Sequence, residues 1–149
     1  GIDDYGQQPA RQQQKPEKNG SGMMPRFKLV PDDPLESERQ AGIVNYLSIE
    51  PRVKFFIRVN GGGRSLKGGF VWFYRLWIGR REQKGRGVPD IIGQLRDGRF
   101  FALEVKRPDE KPTPEQAEFL SLVADAGGVA GVVCNWLDAR KLLIMRHAE

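Results

Sequence analysis

Apolar residues recur along the chain at two spacings, and the switch between them marks out the elements. Between Pro34 and Ser48, Gln40, Ile43 and Leu47 follow at three- and four-residue steps, so the segment reads as a helix with one sheet-facing side. Asp33 suits its N-cap, Pro34 its first turn, Glu36 stands three residues after the cap, and Pro51 stops it. VKFFIRV (Val53–Val59) reads as a strand that ends in a Gly-rich loop, Gly61–Gly69. FVWFYRLWI (Phe70–Ile78) is aromatic and β-branched and reads as another strand. Its rings read as core rather than as a base-stacking platform, with a partly buried dimer surface as a second reading.

The runs VPDIIGQL and RFFALEVKR flank Asp97-Gly98, a hairpin signal. Thr113-Pro114-Glu115-Gln116 then opens a helix with a cap, a first-turn proline and a Gln able to close a capping box. That helix is expected to reach Ala126 and to end at Gly127-Gly128. GVAGVVCNW reads as a strand covered on both faces, followed by a short helix over Asn135–Lys141 and a last strand, Leu142–Met145. In outline the order is αβββαβαβ, an α/β domain with a mixed sheet flanked by helices. Residues 1–26 are Gln-, Pro- and charge-rich with almost nothing apolar and read as a flexible tail, leaving 27–149 as the folded domain.

Composition narrows the classes. A chain of 149 residues holds one domain and an appendage. With one Cys and one His, intramolecular disulfides and the usual Cys/His zinc sites are excluded. No apolar run approaches the roughly 18 residues of a membrane span, and the N-terminus has no signal-like apolar stretch, so a cytoplasmic setting is expected. The net charge is +5, unevenly spread: residues 52–111 carry 15 Lys and Arg against 6 Asp and Glu. Both flanks are net acidic. A basic middle between acidic flanks points to a polyanion, and a merely solvated charged surface is the alternative.

The chemistry gathers in the hairpin. Strand alternation sends Glu104 and Lys106 to one side, about 7 Å apart along the strand, and Phe101, Leu103 and Val105 to the other. Asp90 stands early on the partner strand, where it can approach Glu104. Hard divalent cations take oxygen ligands, commonly one or two carboxylates together with substrate phosphate. A neighbouring Lys can orient or deprotonate water, or neutralise charge in the transition state. A bare Glu-x-Lys is also what an ordinary ion pair looks like.

The surrounding residues add to this. Gly-Val-Pro-Asp before the hairpin, FALEVKRP on its second strand and TPEQAEFL after it resemble the VRR-NUC family of the PD-(D/E)XK nuclease superfamily, over about Leu35–Val133. The resemblance implies a restriction-endonuclease-like fold and a Mg²⁺- or Mn²⁺-dependent deoxyribonuclease. Asp90 and Glu104 would be metal ligands, the Val105 carbonyl a further one, and Lys106 the catalytic lysine. Gln116 matches the family's helical Gln, and its capping role can hold at the same time. The family also places an acid on the first helix, where Glu36 or Glu38 is available. Helical spacing puts Glu36 with Gln40, Ile43 and Leu47 and turns Glu38 to solvent, so Glu36 is the choice for a third metal ligand beside Asp90 and Glu104, with helix capping as its other reading.

Arg80, Arg81, Lys84 and Arg86 crowd the loop before Asp90, and Arg64 and Lys67 lie in the preceding Gly-rich loop. Both groups are candidate phosphate contacts, which give affinity without reading sequence. Small relatives of this kind look bacterial or phage-encoded. Likeness to junction resolvases implies branched DNA, such as a Holliday junction, cut by a homodimer with one site per strand. A DNA-binding module without cleavage, a sequence-specific restriction-type enzyme and a phosphate-binding structural protein are the competing classes.

Overall fold

The hairpin signal at Asp97-Gly98 becomes the centre of a sheet. In the computed structural model, which describes residues 35–59 and 61–145, strand β6 (Ile91–Leu95) turns at Gly98, with φ of +93°, into β7 (Phe100–Val105). The Arg99 amide donates to Asp97 Oδ1 at 3.1 Å, and Leu95 N donates to Arg99 O at 2.8 Å, which closes the turn. The antiparallel register pairs Ile91 with Leu103 and Gly93 with Phe101. Strand β1 (Val53–Arg58) adds to the outer side of β6, antiparallel, and β8 (Val129–Val133) adds to β7 in parallel, giving the order β1-β6-β7-β8. The sheet is therefore mixed, and three helices complete an α/β fold.

Parallel pairing of β7 and β8 needs a crossover, which helix α2 (Pro114–Asp125) supplies. Its start has the expected box: Gln116 N donates to Thr113 Oγ1, and Thr113 N donates to Gln116 Oε1. Gly127, with φ of +83°, ends it as expected. Helix α1 (Glu36–Ile49) buries Gln40, Ile43 and Leu47, the face its spacing predicts. Ile43 and Leu47 meet Ile91 and Leu95 of β6, Phe101, Leu103 and Val105 of β7, and Val129 and Val133 of β8 in one core.

Several expectations need correction. Glu38, not Glu36, supports the start of α1: its Oε2 accepts the Leu35 N–H at 3.0 Å. Asp33 and Pro34, like the expected tail over 1–26, lie outside the described residues. The last strand, Leu142–Met145, does not form. Helix α3 (Trp136–Ile144) continues through it, because Ala139 and Leu143 are buried one turn apart and keep the helical period. The strand expected over Phe70–Ile78 is broken. Its first part, β3 (Gly69–Trp72), pairs with β2 (Gly63–Leu66), and its last, β4 (Trp77–Ile78), pairs with β5 (Arg81–Glu82). The observed order is thus αβββββββαβα rather than αβββαβαβ.

Nor is the aromatic run core. Phe70, Val71, Phe73 and Trp77 are all more than half exposed. The two ribbons that hold Phe70, Val71 and Trp77 are separate two-stranded sheets, and among the described residues no second layer covers them. Phe70 instead meets Trp72 edge-on, with ring centroids 4.9 Å apart.

Candidate active site

Where β1 and β7 finish, β6 begins. Asp90 stands one residue ahead of β6 and is fixed twice. Its carbonyl accepts the Val59 N–H at 2.7 Å, and its Oδ2 accepts the Val105 N–H at 2.9 Å. One residue thus ties the ends of three neighbouring strands together, its carbonyl toward β1 and its carboxylate toward β7. The outward-facing positions of β7 bring Glu104 and Lys106 to the same end, as strand alternation predicts.

Glu104 is only 1% exposed. Its Oε1 accepts from Gln116 Nε2 at 2.6 Å and lies 2.9 Å from Lys106 Nζ. Its Oε2 is buried and has no hydrogen-bond partner among the described residues. Burial, then the nearby Asp90 charge, push the Glu104 carboxyl up to about 7, with Lys106 only partly offsetting them. Asp90 is also raised: burial dominates, the Val105 N–H opposes it, and the charge of Glu36 adds to it. Lys106 loses some basicity to burial but gains more from its bond to Glu104 and from the charges of Glu104, Glu36 and Asp90, and is held as an ammonium.

Gln116 serves both of its readings. Its Oε1 closes the α2 capping box while its Nε2 holds Glu104. Glu36, partly exposed at the start of α1, reaches Asp90 and Lys106 through its charge, whereas Glu38 is spent on the helix end. Two residues that the sequence did not single out belong here. Arg58, at the end of β1, donates from Nε to Gln40 Oε1 at 3.2 Å, and its charge acts on Asp90. Gln40 was legible only as a polar residue on a buried helix face, and that was the signal to pursue.

An orphaned buried carboxylate oxygen beside a second carboxylate is a donor set with unused capacity for a hard cation. A divalent ion there would relieve both the desolvation and the repulsion that raise these two acids. Among the described residues no three His, Cys, Asp or Glu side chains converge as a metal cluster, so the fit is that of a carboxylate pair completed by water and phosphate oxygens.

The basic residues separate into distinct groups. Arg64, Lys67, Arg80 and Lys84 are exposed. Arg81 Nη2 is engaged by Glu118 Oε1 of α2 at 2.6 Å, which ties the β4–β5 ribbon to that helix. Arg86 lies over the Trp72 ring, 5.6 Å from its centroid. Among the described residues no helix is long and apolar enough to cross a membrane. Compared with protein-family models, curated proteins and solved structures, the chain matches none.

Proposed function

We propose that this chain is a divalent-metal-dependent deoxyribonuclease, built on a restriction-endonuclease-like core of the VRR-NUC kind. The observation that carries the reading is Glu104: a carboxylate 1% exposed, one oxygen unpartnered, beside Asp90 and Lys106 at one end of the sheet. A purely structural acid in such a place would cost stability without return. Asp90 and Glu104 would hold the ion, with the Val105 carbonyl as a further donor and Glu36 adding charge. When bound, Mg²⁺ or Mn²⁺ supplies stabilisation of charge on the phosphate and acidifies water.

The chain's own groups do the rest. Gln116 keeps Glu104 in one rotamer through Oε1 and leaves Oε2 free. Lys106, as an ammonium, gives N–H donors and positive charge to the attacked phosphate, and in that state serves as electrostatic partner rather than base. Arg58, steadied by Gln40, adds a second cation beside Asp90. Water adds to phosphorus and gives up a proton to bulk solvent, one P–O ester bond breaks, and the leaving oxygen takes a proton from solvent. The exposed Arg64, Lys67, Arg80 and Lys84 supply contacts to the DNA backbone. Branched DNA cut by a homodimer, in a bacterial or phage cytoplasm, is the setting this reading suggests.

One observation favours a second reading, a DNA-binding module without cleavage. Lys106 and Gln116 already satisfy Glu104 Oε1, as an ordinary buried ion pair would. The experiment that separates them uses labelled four-way junction, splayed-arm and linear duplex DNA with Mg²⁺, Mn²⁺ or EDTA, beside Lys106→Ala. Paired nicks at the branch, absent with EDTA and in the variant, are expected. Cleavage of all three substrates alike overturns the branch preference alone. Salt-sensitive binding without cleavage in either metal leaves the binding module.

A further inference from the structure

Two cavities adjoin the sheet. The larger, about 770 Å³, lies between α2 and the β6–β7 turn and includes none of the site carboxylates. A smaller one, about 380 Å³, opens directly onto Asp90 and Gln116. It falls within the range of small-molecule sites, about 300–1,000 Å³. Its aromatic side chains are Trp72 and Tyr74, and its one cation is Arg86, placed over Trp72. These rings come from the run that lies outside both the core and the four-stranded sheet.

The walls of this cavity are built by close backbone approach. Gly85 and Gly87 have φ of +73° and +88°. A Cβ at Gly85 would meet the Tyr74 carbonyl oxygen at 2.5 Å, and one at Gly87 would meet the Glu115 carbonyl oxygen at 2.7 Å. Only glycine at both places lets the basic turn close against the aromatic segment and the start of α2. The result is a pocket whose lining combines aromatic and guanidinium surfaces with the polar side chains Thr113 and Gln116.

We propose that this cavity takes the base of an unpaired nucleotide adjoining the phosphate that is cut, so that the DNA must be single-stranded or distorted at that point. The inference rests on the nuclease reading for the position of that phosphate. A phosphate group is the wrong occupant: Asp90 and Glu115 line the cavity against one Arg, so an anion meets net negative charge. A base is neutral and planar, stacks on rings or guanidinium, and presents edges to polar side chains. In a continuous duplex the same base is stacked and paired, and must be extruded to reach such a pocket. Selection of branched or gapped DNA then arises beside the chemistry, without any reading of sequence.

The test separates this from cleavage by working in EDTA. Fluorescence anisotropy compares a labelled paired duplex, the same duplex with one unpaired nucleotide, and that probe with an abasic residue at the unpaired position. The expected result is about ten-fold tighter binding of the unpaired-nucleotide probe than of the duplex, lost in the abasic probe. Tyr74→Ala and Trp72→Ala should each bring the affinity for the unpaired-nucleotide probe down to that for its abasic counterpart, while Trp72→Phe, which keeps a ring and the ribbon, retains the difference. Equal affinity for the normal and abasic probes overturns the pocket. Should Mg²⁺ support cleavage while this preference is missing, the nuclease reading stands and the base pocket falls. A base preference without cleavage in any metal does the reverse.

Discussion

Two buried glutamates mark opposite ends of α1 and of the sheet beneath it, and they are treated in opposite ways. Glu50, at the C-terminal end of α1, is 8% exposed and fully engaged. Tyr46 Oη donates to its Oε2 at 2.5 Å, and the Arg52 N–H and guanidinium both donate to its Oε1. Burial alone would raise its carboxyl, but these three donors hold it below its ordinary value. Glu104 is buried further, has one oxygen unpartnered, and is pushed up rather than down. The same residue type is fully hydrogen-bonded in one place and only half satisfied in the other. Burial by itself therefore says little; what distinguishes a functional acid is the lone pair left over.

The contrast can be broken by exchanging the two residues' tests. The largest effect expected is on catalysis: Glu104→Gln and Lys106→Ala should each lower the cleavage rate by about 10²–10³-fold or more, while Glu50→Gln leaves it within a few-fold. Equal losses at both glutamates would show that activity merely follows folding. Next in size is stability. Glu50→Gln should cost about 2 kcal/mol in denaturant unfolding, since it weakens bonds to a buried charge. Glu104→Gln should cost less, because relief of desolvation and of repulsion from Asp90 offsets the lost ion pair.

A pH series sharpens the same point. The folded-state pKa of Glu50 lies below its ordinary 4.5, so its contribution is present above that value and disappears as pH falls through the lowered pKa. The stability gap between Glu50→Gln and the unaltered chain should accordingly close on acidification, and a gap independent of pH would rule out this account. The smallest effect concerns the exposed cations. Arg80→Ala and Lys84→Ala should each reduce the slope of log affinity against log salt by about one, with no change in preference among DNA sequences.

Much of this was legible in the sequence wherever a local rule and the tertiary fold agreed. The α1 face followed from spacing, the β6–β7 hairpin from Asp97-Gly98, and the start of α2 from Thr113 and Gln116, each decided within a few residues. The convergence of Asp90, Glu104 and Lys106 needed only that hairpin and strand alternation. What escaped was settled by distant partners. Ring-rich Phe70–Ile78 has the composition of a core strand, and its exposure reflects the lack of a covering layer among the described residues. Leu142–Ile144 carries apolar residues suited to either period, and the burial of Leu143 decided for helix. Arg58 and Gln40 meet across 18 positions, a contact no short-range pattern contains.

The three-residue turn Arg96-Asp97-Gly98 has a consequence for how the site can vary. It sets which residue of β7 faces Ile91, and thereby which one shares a face with Asp90. Adding one residue there would slide β7 by one step and turn Glu104 and Lys106 to the opposite side of the sheet. The turn is thus a gauge for the carboxylate spacing, set at the far end of the hairpin from the groups it positions. Lengthening it by one or by two residues is expected to have unlike results: an odd insertion inverts the face, whereas an even one can be looped out with the register intact.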